Sequence, residues 1–443
     1  METVLFHRER KSSLSEAKKA LKDLTRIHQP PQILAEERRQ VLLEKIRTLL
    51  QLESAQYDAL AASLIDTQVL YCQNLPETAH SYFSQPGGLL DHALNRTEAA
   101  LEIFKEFMIH DRAEVISEEQ KLWQYALFSA AMLQGIGKLY IDYHARIYDA
   151  QGQFLKDWNP LLEHMAQMGS YYGYEFQKDM EISLRRRINL LLAKTMMPPG
   201  GYNWIAAHGD VLAVWLALLN EDERSAGTLG AILIRADALA IQRYFLEFAP
   251  RGFAHGTGGR YGGVGTFSGG ADSLIEKERQ VGMEFIQWLH QALEHGQVII
   301  NKAPLLMVPG GLLMCKEIFQ LFVREHPEYK NWQAIQTAFA SLGLHQTAAD
   351  GSMNIHFEHA LAGKQTGINF THYAMVLPKT VTVKTAAGAV ENLSSMELML
   401  RAQDDPTLAT STNTIQTQLN GAGQWVTSKH EQPTMNAGVK KGG

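Results

Sequence analysis

Apolar positions recur at helical spacing through most of the first 250 residues. Between Leu34 and Leu52, the positions Leu42, Ile46, Leu49 and Leu50 fall on one face, which predicts a helix packed along that face. Ser54 is a suitable N-cap for a second helix that ends before Pro76, and a third runs from Gly88 to Met108. Ser117-Glu118-Glu119-Gln120 has the form of a capping box. The helix it opens is apolar on nearly every side from Tyr125 to Leu133, so it is expected to be the central buried one. Upstream, the stretch from Ser12 to about Ile27 reads as a charged helix cut off by Pro30-Pro31, in an N-terminal arm over residues 1–33.

The period changes after Lys138. Tyr140 to Tyr148, then an Asp-Ala-Gln-Gly turn before Phe154, reads as a short hairpin on a helical body. Asn159-Pro160 has the form of an N-cap and first-turn proline. Further helices are predicted near Asp179 to Met196, Gly209 to Leu219 and Arg224 to Phe248. From Gly252 to Gly270 there are nine glycines, a density that neither helix nor sheet tolerates, so a linker is expected over 251–275. Beyond it come a helix from Glu276 to Glu294, short strands around Val298 to Val308 and Leu312 to Cys315, and helices at Glu317 to Glu325 and Asn331 to Leu342. Strands Asn354 to Phe357 and Ile368 to Leu377 follow, separated by the polar loop Ala362 to Gly367. Helices followed by a strand hairpin is the order of a winged helix. The expected architecture is mainly α: a helical domain over 34–250, an α+β winged-helix domain over 276–378, and a mostly disordered polar tail over 379–443 with one short helix at Leu393 to Arg401.

Composition narrows the function classes. The 443 residues suffice for two or three domains, and 45% apolar with 20% charged residues fits an ordinary globular protein. A net charge of -6 gives no overall attraction to nucleic acid, so any such binding must rest on a local patch. Cys72 and Cys315 are isolated, which suits a reducing cytosol and argues against a structural zinc site. The first residues lack the order of a signal peptide, and no apolar run approaches the ~20 residues of a membrane span. A cytoplasmic location without membrane insertion is expected.

Several motifs in order carry a resemblance. They are Leu75-Pro76, Gly87-Gly88-Leu89-Leu90-Asp91-His92, Ile136-Gly137-Lys138, Asp157-Trp158-Asn159-Pro160-Leu161, Pro198-Pro199, Arg235-Ala236-Asp237, Val308-Pro309-Gly310-Gly311-Leu312-Leu313 and Leu342-Gly343-Leu344-His345. With these the chain resembles the TraI-type relaxases of the MOBH class, HD-domain proteins that nick transfer-origin DNA for conjugation, with a C-terminal winged helix. The resemblance implies that the family's first metal histidine falls on His92 and its last metal aspartate on Asp237, with Lys138 as a remnant of the central motif. It also shows departures. The central His-Asp pair falls on Gln134-Gly135, a histidine expected after an arginine pair falls near Arg187-Ile188, and Tyr82 and Phe83 stand where histidines might, leaving His80 as the nearest candidate.

HD centres hold one or two metal ions through imidazole and carboxylate, and the metal supplies the bound hydroxide and the charge that stabilises a phosphoryl transition state. Gly135 has no donor and Gln134 only a neutral amide. His92 and Asp237 would make a two-ligand site, too few for tight binding. No catalytic residue, metal or other cofactor is therefore expected, and His92 reads as a core histidine that finds a partner such as Asp237. Asp142 and His144 are possible surrogate ligands. Arg185-Arg186-Arg187 and Lys364 are candidate DNA contacts, set against the plain reading of charges on a solvated face. The expected role is a relaxase-like, non-catalytic component of a conjugative DNA-transfer or type IV secretion system that binds protein partners or, weakly, DNA. The alternative is an active metal-dependent nickase with an altered site.

Overall fold

The computed structural model describes residues 18–108, 117–177, 181–248, 271–308, 310–348, 351–359, 363–385, 388–404, 411–414, 417–419 and 425–427. The chain divides into two units, Met1–Glu247 and Phe248–Gly443.

In the first unit the periodic stretches become α1 (Pro30–Leu34), α2 (Glu37–Leu50) and α3 (Ser54–Tyr57), which continues through a π turn at Asp58–Ala62 into α4 (Ser63–Cys72). Then come α5 (Gly88–Met108), α6 (Glu118–Leu133), α7 (Lys138–Ile141), α8 (Ile182–Met196), α9 (Pro199–Ala206), α10 (Gly209–Leu219) and α11 (Glu223–Phe248). The centre is α6. Its capping box forms as read, with Ser117 Oγ accepting the Gln120 amide and the Gln120 side chain accepting the Ser117 amide. Every side chain from Gln124 to Leu133 is buried, and the helix packs against α2, α5 and α10. A helix apolar on all sides gains most by being enclosed, at roughly 1.5–3 kcal/mol per large side chain.

The body is not all helical. Four antiparallel strands, β1 (Thr25–Arg26), β2 (Tyr143–Tyr148), β3 (Phe154–Asp157) and β4 (Tyr171–Phe176), form a sheet in the order β1-β4-β2-β3. The β2–β3 hairpin is the one expected. The charged helix and free arm are corrected: residues 12–17 lie outside the described residues, whereas Thr25 and Arg26 pair with Tyr172 and Tyr171. The His28 amide donates to Gln73, whose side-chain amide donates back to the His28 carbonyl. Pro30-Pro31 begin α1 rather than end a helix, because a first-turn residue needs no amide hydrogen. Asn159-Pro160 opens only a turn, in which Asn159 Oδ1 accepts the Leu161 amide, and the Trp158 indole fixes the chain by donating to the Glu163 carbonyl.

The second unit begins with α12 (Ala271–Glu294), so 271–275 are helical and the rest of the expected linker, up to Gly270, lies outside the described residues. Next are β5 (Leu305–Val308), β6 (Gly311–Cys315), α13 (Lys316–Glu325), α14 (Trp332–Ala340), β7 (Ile355–His359) and β8 (Gly363–Phe370). The aromatic rings of Phe285, Phe319, Phe322 and Phe339 pack under a sheet ordered β11-β7-β8-β6-β5, where β11 is Ser411–Thr414. At the β5 end, Asn301 Oδ1 accepts the Met307 amide, and Asn301 itself takes a left-handed φ of 62°.

The polar run with Lys364 is a strand, not a loop. Its first residues are exposed while Gly367 to Phe370 are buried, so polarity here reports solvent on one end of β8. The tail expectation is also corrected up to Asp404. β9 (Thr380–Lys384) and β10 (Val390–Ser394) form a hairpin that buries Val381, Val383 and Leu393, and α15 (Ser395–Asp404) buries Leu398 and Met399. The Ile300 amide and carbonyl bond to Thr382 and Lys384, which joins this hairpin to the same core. Strands β12 (Thr417–Leu419) and β13 (Trp425–Thr427) pair beyond it. Among the described residues no single helix is long and apolar enough to cross a membrane.

Candidate functional site

The double glycine sets the geometry around His92. A Cβ on Gly88 would lie 1.9 Å from the Phe83 carbonyl oxygen, so only glycine lets the 73–87 loop fold back onto the start of α5. That return places Phe83 in a stack on the imidazole, with ring centroids 4.9 Å apart, and Tyr82 edge-on at 5.6 Å. The loop also carries Glu77 inward, where its amide bonds to the Phe83 carbonyl.

His92 is 3% exposed and stands between two carboxylates. Its Nε2 lies 3.0 Å from Asp237 Oδ1 on α11, and its Nδ1 lies 3.5 Å from Glu77 Oε1. Neither ring nitrogen is aligned for a good hydrogen bond, so these contacts act mainly through charge. Burial alone would lower the imidazole's pKa. The carboxylates of Asp237 and Glu77 outweigh it and raise the pKa above the ordinary histidine value.

Both carboxylates have a second cation. Lys138 Nζ is bonded to the Glu77 carboxylate and, at 3.2 Å, to the Glu77 carbonyl. Burial would raise the Glu77 carboxyl, but the charges of Lys138 and His92 hold it well below the usual carboxylate range. Arg96, one turn after His92 and 6% exposed, points its guanidinium at Asp237 Oδ1 (3.2 Å), the Ala131 carbonyl (2.9 Å) and the Gln134 carbonyl (3.0 Å). Arg96 therefore also caps the C-terminal end of α6, where carbonyls lack helical partners. Asp237, expected as a hydrogen-bond partner of His92, stands 3.0 Å from its Nε2 as an ion-pair neighbour. Lys138 pairs with Glu77, and Arg243 pairs with Glu98 and Glu102.

Gln134 and Gly135 end α6 beside this cluster. Gly135 takes a φ of +75°, and a Cβ built on it meets nothing within 4 Å. The residues do not fit an HD-type metal. The two nitrogens of His92 address different carboxylates, each carboxylate already holds a cation, and the position of the central aspartate has no side chain. Among the described residues no group of three or more His, Cys, Asp or Glu is placed to hold a metal ion.

The other candidates are dispersed. His80 is exposed on the loop. Asp142 is buried 3.4 Å from Arg185, with burial raising its carboxyl above the ordinary range. His144 pairs with Asp157 at 3.0 Å on the hairpin. Arg186 pairs with Glu221 at 2.8 Å, Arg187 is exposed on α8, and Lys364 is exposed on β8 in the second unit. An apolar cavity of about 490 Å³, lined by Phe104, Trp123, Val214, Leu229 and Ile232 among others, shares no residue with the His92 cluster.

Sequence reading missed Glu77 and Arg96. Glu77 is a loop residue without periodicity. Arg96 had a signal, since positions i and i+4 share a helix face and His92 on α5 therefore points to Arg96.

No curated protein matches this chain. Residues 280–390 match the family described as putative conjugal transfer nickase/helicase TraI, C-terminal, and residues 25–260 match TraI_2, described as a putative helicase. Because the second match spans more than half of the sequence, the chain belongs to the TraI_2 family, and it is a conjugal transfer nickase/helicase-like protein.

Proposed function

We propose that this protein is a relaxase-like, non-catalytic component of a conjugative DNA-transfer or type IV secretion system, derived from an HD-type nickase of the MOBH class and acting as a binding subunit. One observation carries the reading: the two carboxylates that flank His92 are each held by an internal cation, while Gly135 offers no ligand where the central aspartate would stand. A metal-dependent nickase needs a cation to activate water and to bear phosphoryl charge, and this centre neither presents open ligands nor leaves its anions uncompensated. Incubating the purified chain with transfer-origin DNA and manganese, magnesium or iron tests the proposal. Intact DNA in all three is the expected result, and strand nicking abolished by His92→Ala would overturn it.

The second unit supports a winged helix within this reading. The order α12, β6, α13, α14, β7, β8, with β8 between β6 and β7 in a sheet that β5 and β11 extend, is compatible with that fold. Its surface does not favour DNA. Over residues 271–404 there are ten Lys and Arg against thirteen Asp and Glu. The exposed positions of α14 are the uncharged Gln333, Ala334 and Thr337. A protein partner in the transfer apparatus fits this face better than a phosphate backbone, and DNA binding through Lys364 would be weak and salt-dependent.

A further inference from the structure

We infer that the cluster around His92 holds the place of a metal in an HD centre as an internal ionic clamp, in which Lys138 and Arg96 pair with Glu77 and Asp237 and join the 73–87 loop, α5, α7 and α11. The inference rests on the reading of this centre as metal-free and adds what holds its carboxylates instead.

The clamp has two halves with His92 between them. On one side Lys138, from α7, meets Glu77 of the loop through both the carboxylate and the backbone carbonyl. On the other, Arg96 of α5 meets Asp237 of α11 and fastens the end of α6 through two carbonyls. Glu77, His92, Arg96 and Lys138 are all buried, where an uncompensated carboxylate or cation costs several kcal/mol and a paired one does not. Glu77 and Asp237 face Lys138, Arg96 and the imidazole of His92, so neither carboxylate is left uncompensated. A divalent ion entering here has to displace an ammonium or a guanidinium from its carboxylate.

The test is a double-mutant cycle on the full chain with Lys138→Met and Glu77→Gln, each protein melted in EDTA and in manganese chloride. Lys138→Met should lower the Tm by roughly 10 °C, because it strands a buried carboxylate. Adding Glu77→Gln should recover most of that loss, since the pair then leaves together. The wild type should melt at the same temperature in both buffers, and manganese should raise the Tm of Lys138→Met alone. Effects that simply add, or a wild type stabilised by manganese, would overturn the inference. If Lys138→Met fails to fold, soluble yield of the double variant gives the same answer, and a double variant as defective as the single overturns the clamp. Nicking by the wild type sinks the functional reading, whereas an additive cycle in a protein that does not nick sinks the clamp alone.

Discussion

The two units bury different chemistry. In the first, Arg39, Glu77, His92, Arg96, Glu98, Lys138 and Asp142 lie inside, whereas the buried polar side chains among the described residues of the second are the uncharged Asn301, Gln336 and Asn369. The second unit is held by packed rings: Phe285 stacks on Phe319 at 4.7 Å and meets Phe322 and Phe339 edge-on. Packing needs only shape, so such a core is robust to the loss of any one polar contact. A buried ion cluster is different, because each charge is tolerable only while its partner stays.

The comparison yields graded expectations. The largest effect belongs to the aromatic core. Phe285→Ala should cost about 4 kcal/mol, and hydrogen exchange should show protection lost across β6, β8 and α14 but kept in α6. Loss of protection in α6 as well would break the contrast between the two interiors.

Next is Glu98, whose side chain has no exposed surface and is bonded to Lys45 at 2.9 Å and to Arg243. Glu98→Gln should cost about 2 kcal/mol, less than for a fully buried pair, since both cations are partly in water. Burial would raise the Glu98 carboxyl, but its bonds to Lys45 and Arg243 hold it below the usual range. A carboxylate depressed in the folded state contributes stability above its unfolded pKa of about 4.3, and that contribution is lost as pH falls through the lower folded value. Denaturation followed from pH 7 to pH 3 should therefore show a shallower acid limb in Glu98→Gln than in the wild type.

Smaller still is Gly135→Asp. The site is open, so the cost is the left-handed backbone alone, about 1 kcal/mol, read as a Tm lower by a few degrees. A larger drop would show that the carboxylate meets unpaired charge in the cluster. The smallest effect is expected at Lys364, exposed on β8. Lys364→Ala should change stability by less than about 0.5 kcal/mol and alter the salt slope of any DNA binding by about 1.

The helices were legible where apolar spacing was long and capped. Gly209 to Leu219 and the Ser117 box appear as read, because each is determined by its own residues. The strands β1 and β4 were not. Thr25-Arg26 is two residues long and exists only through its pairing with the run Tyr171 to Phe176, and no local pattern encodes that partner. The β9–β10 hairpin was hidden by tail-like composition, although Val381 and Val383 alternate as a half-buried strand does. At the site, the family resemblance pointed to His92, Lys138 and Asp237. Their pairing was decided by Glu77 and Arg96, brought together through a loop return and a helix end that only the folded chain defines.

β5 ends the five-stranded sheet with the buried run Leu305-Leu306-Met307-Val308, whose outer edge has no neighbouring strand in that sheet. Its outward Met307 amide is already bonded by the Asn301 side chain, so an incoming strand finds that donor taken. With the Leu305 amide bonded to the Lys302 carbonyl as well, the edge of β5 has both of these donors satisfied inside the molecule.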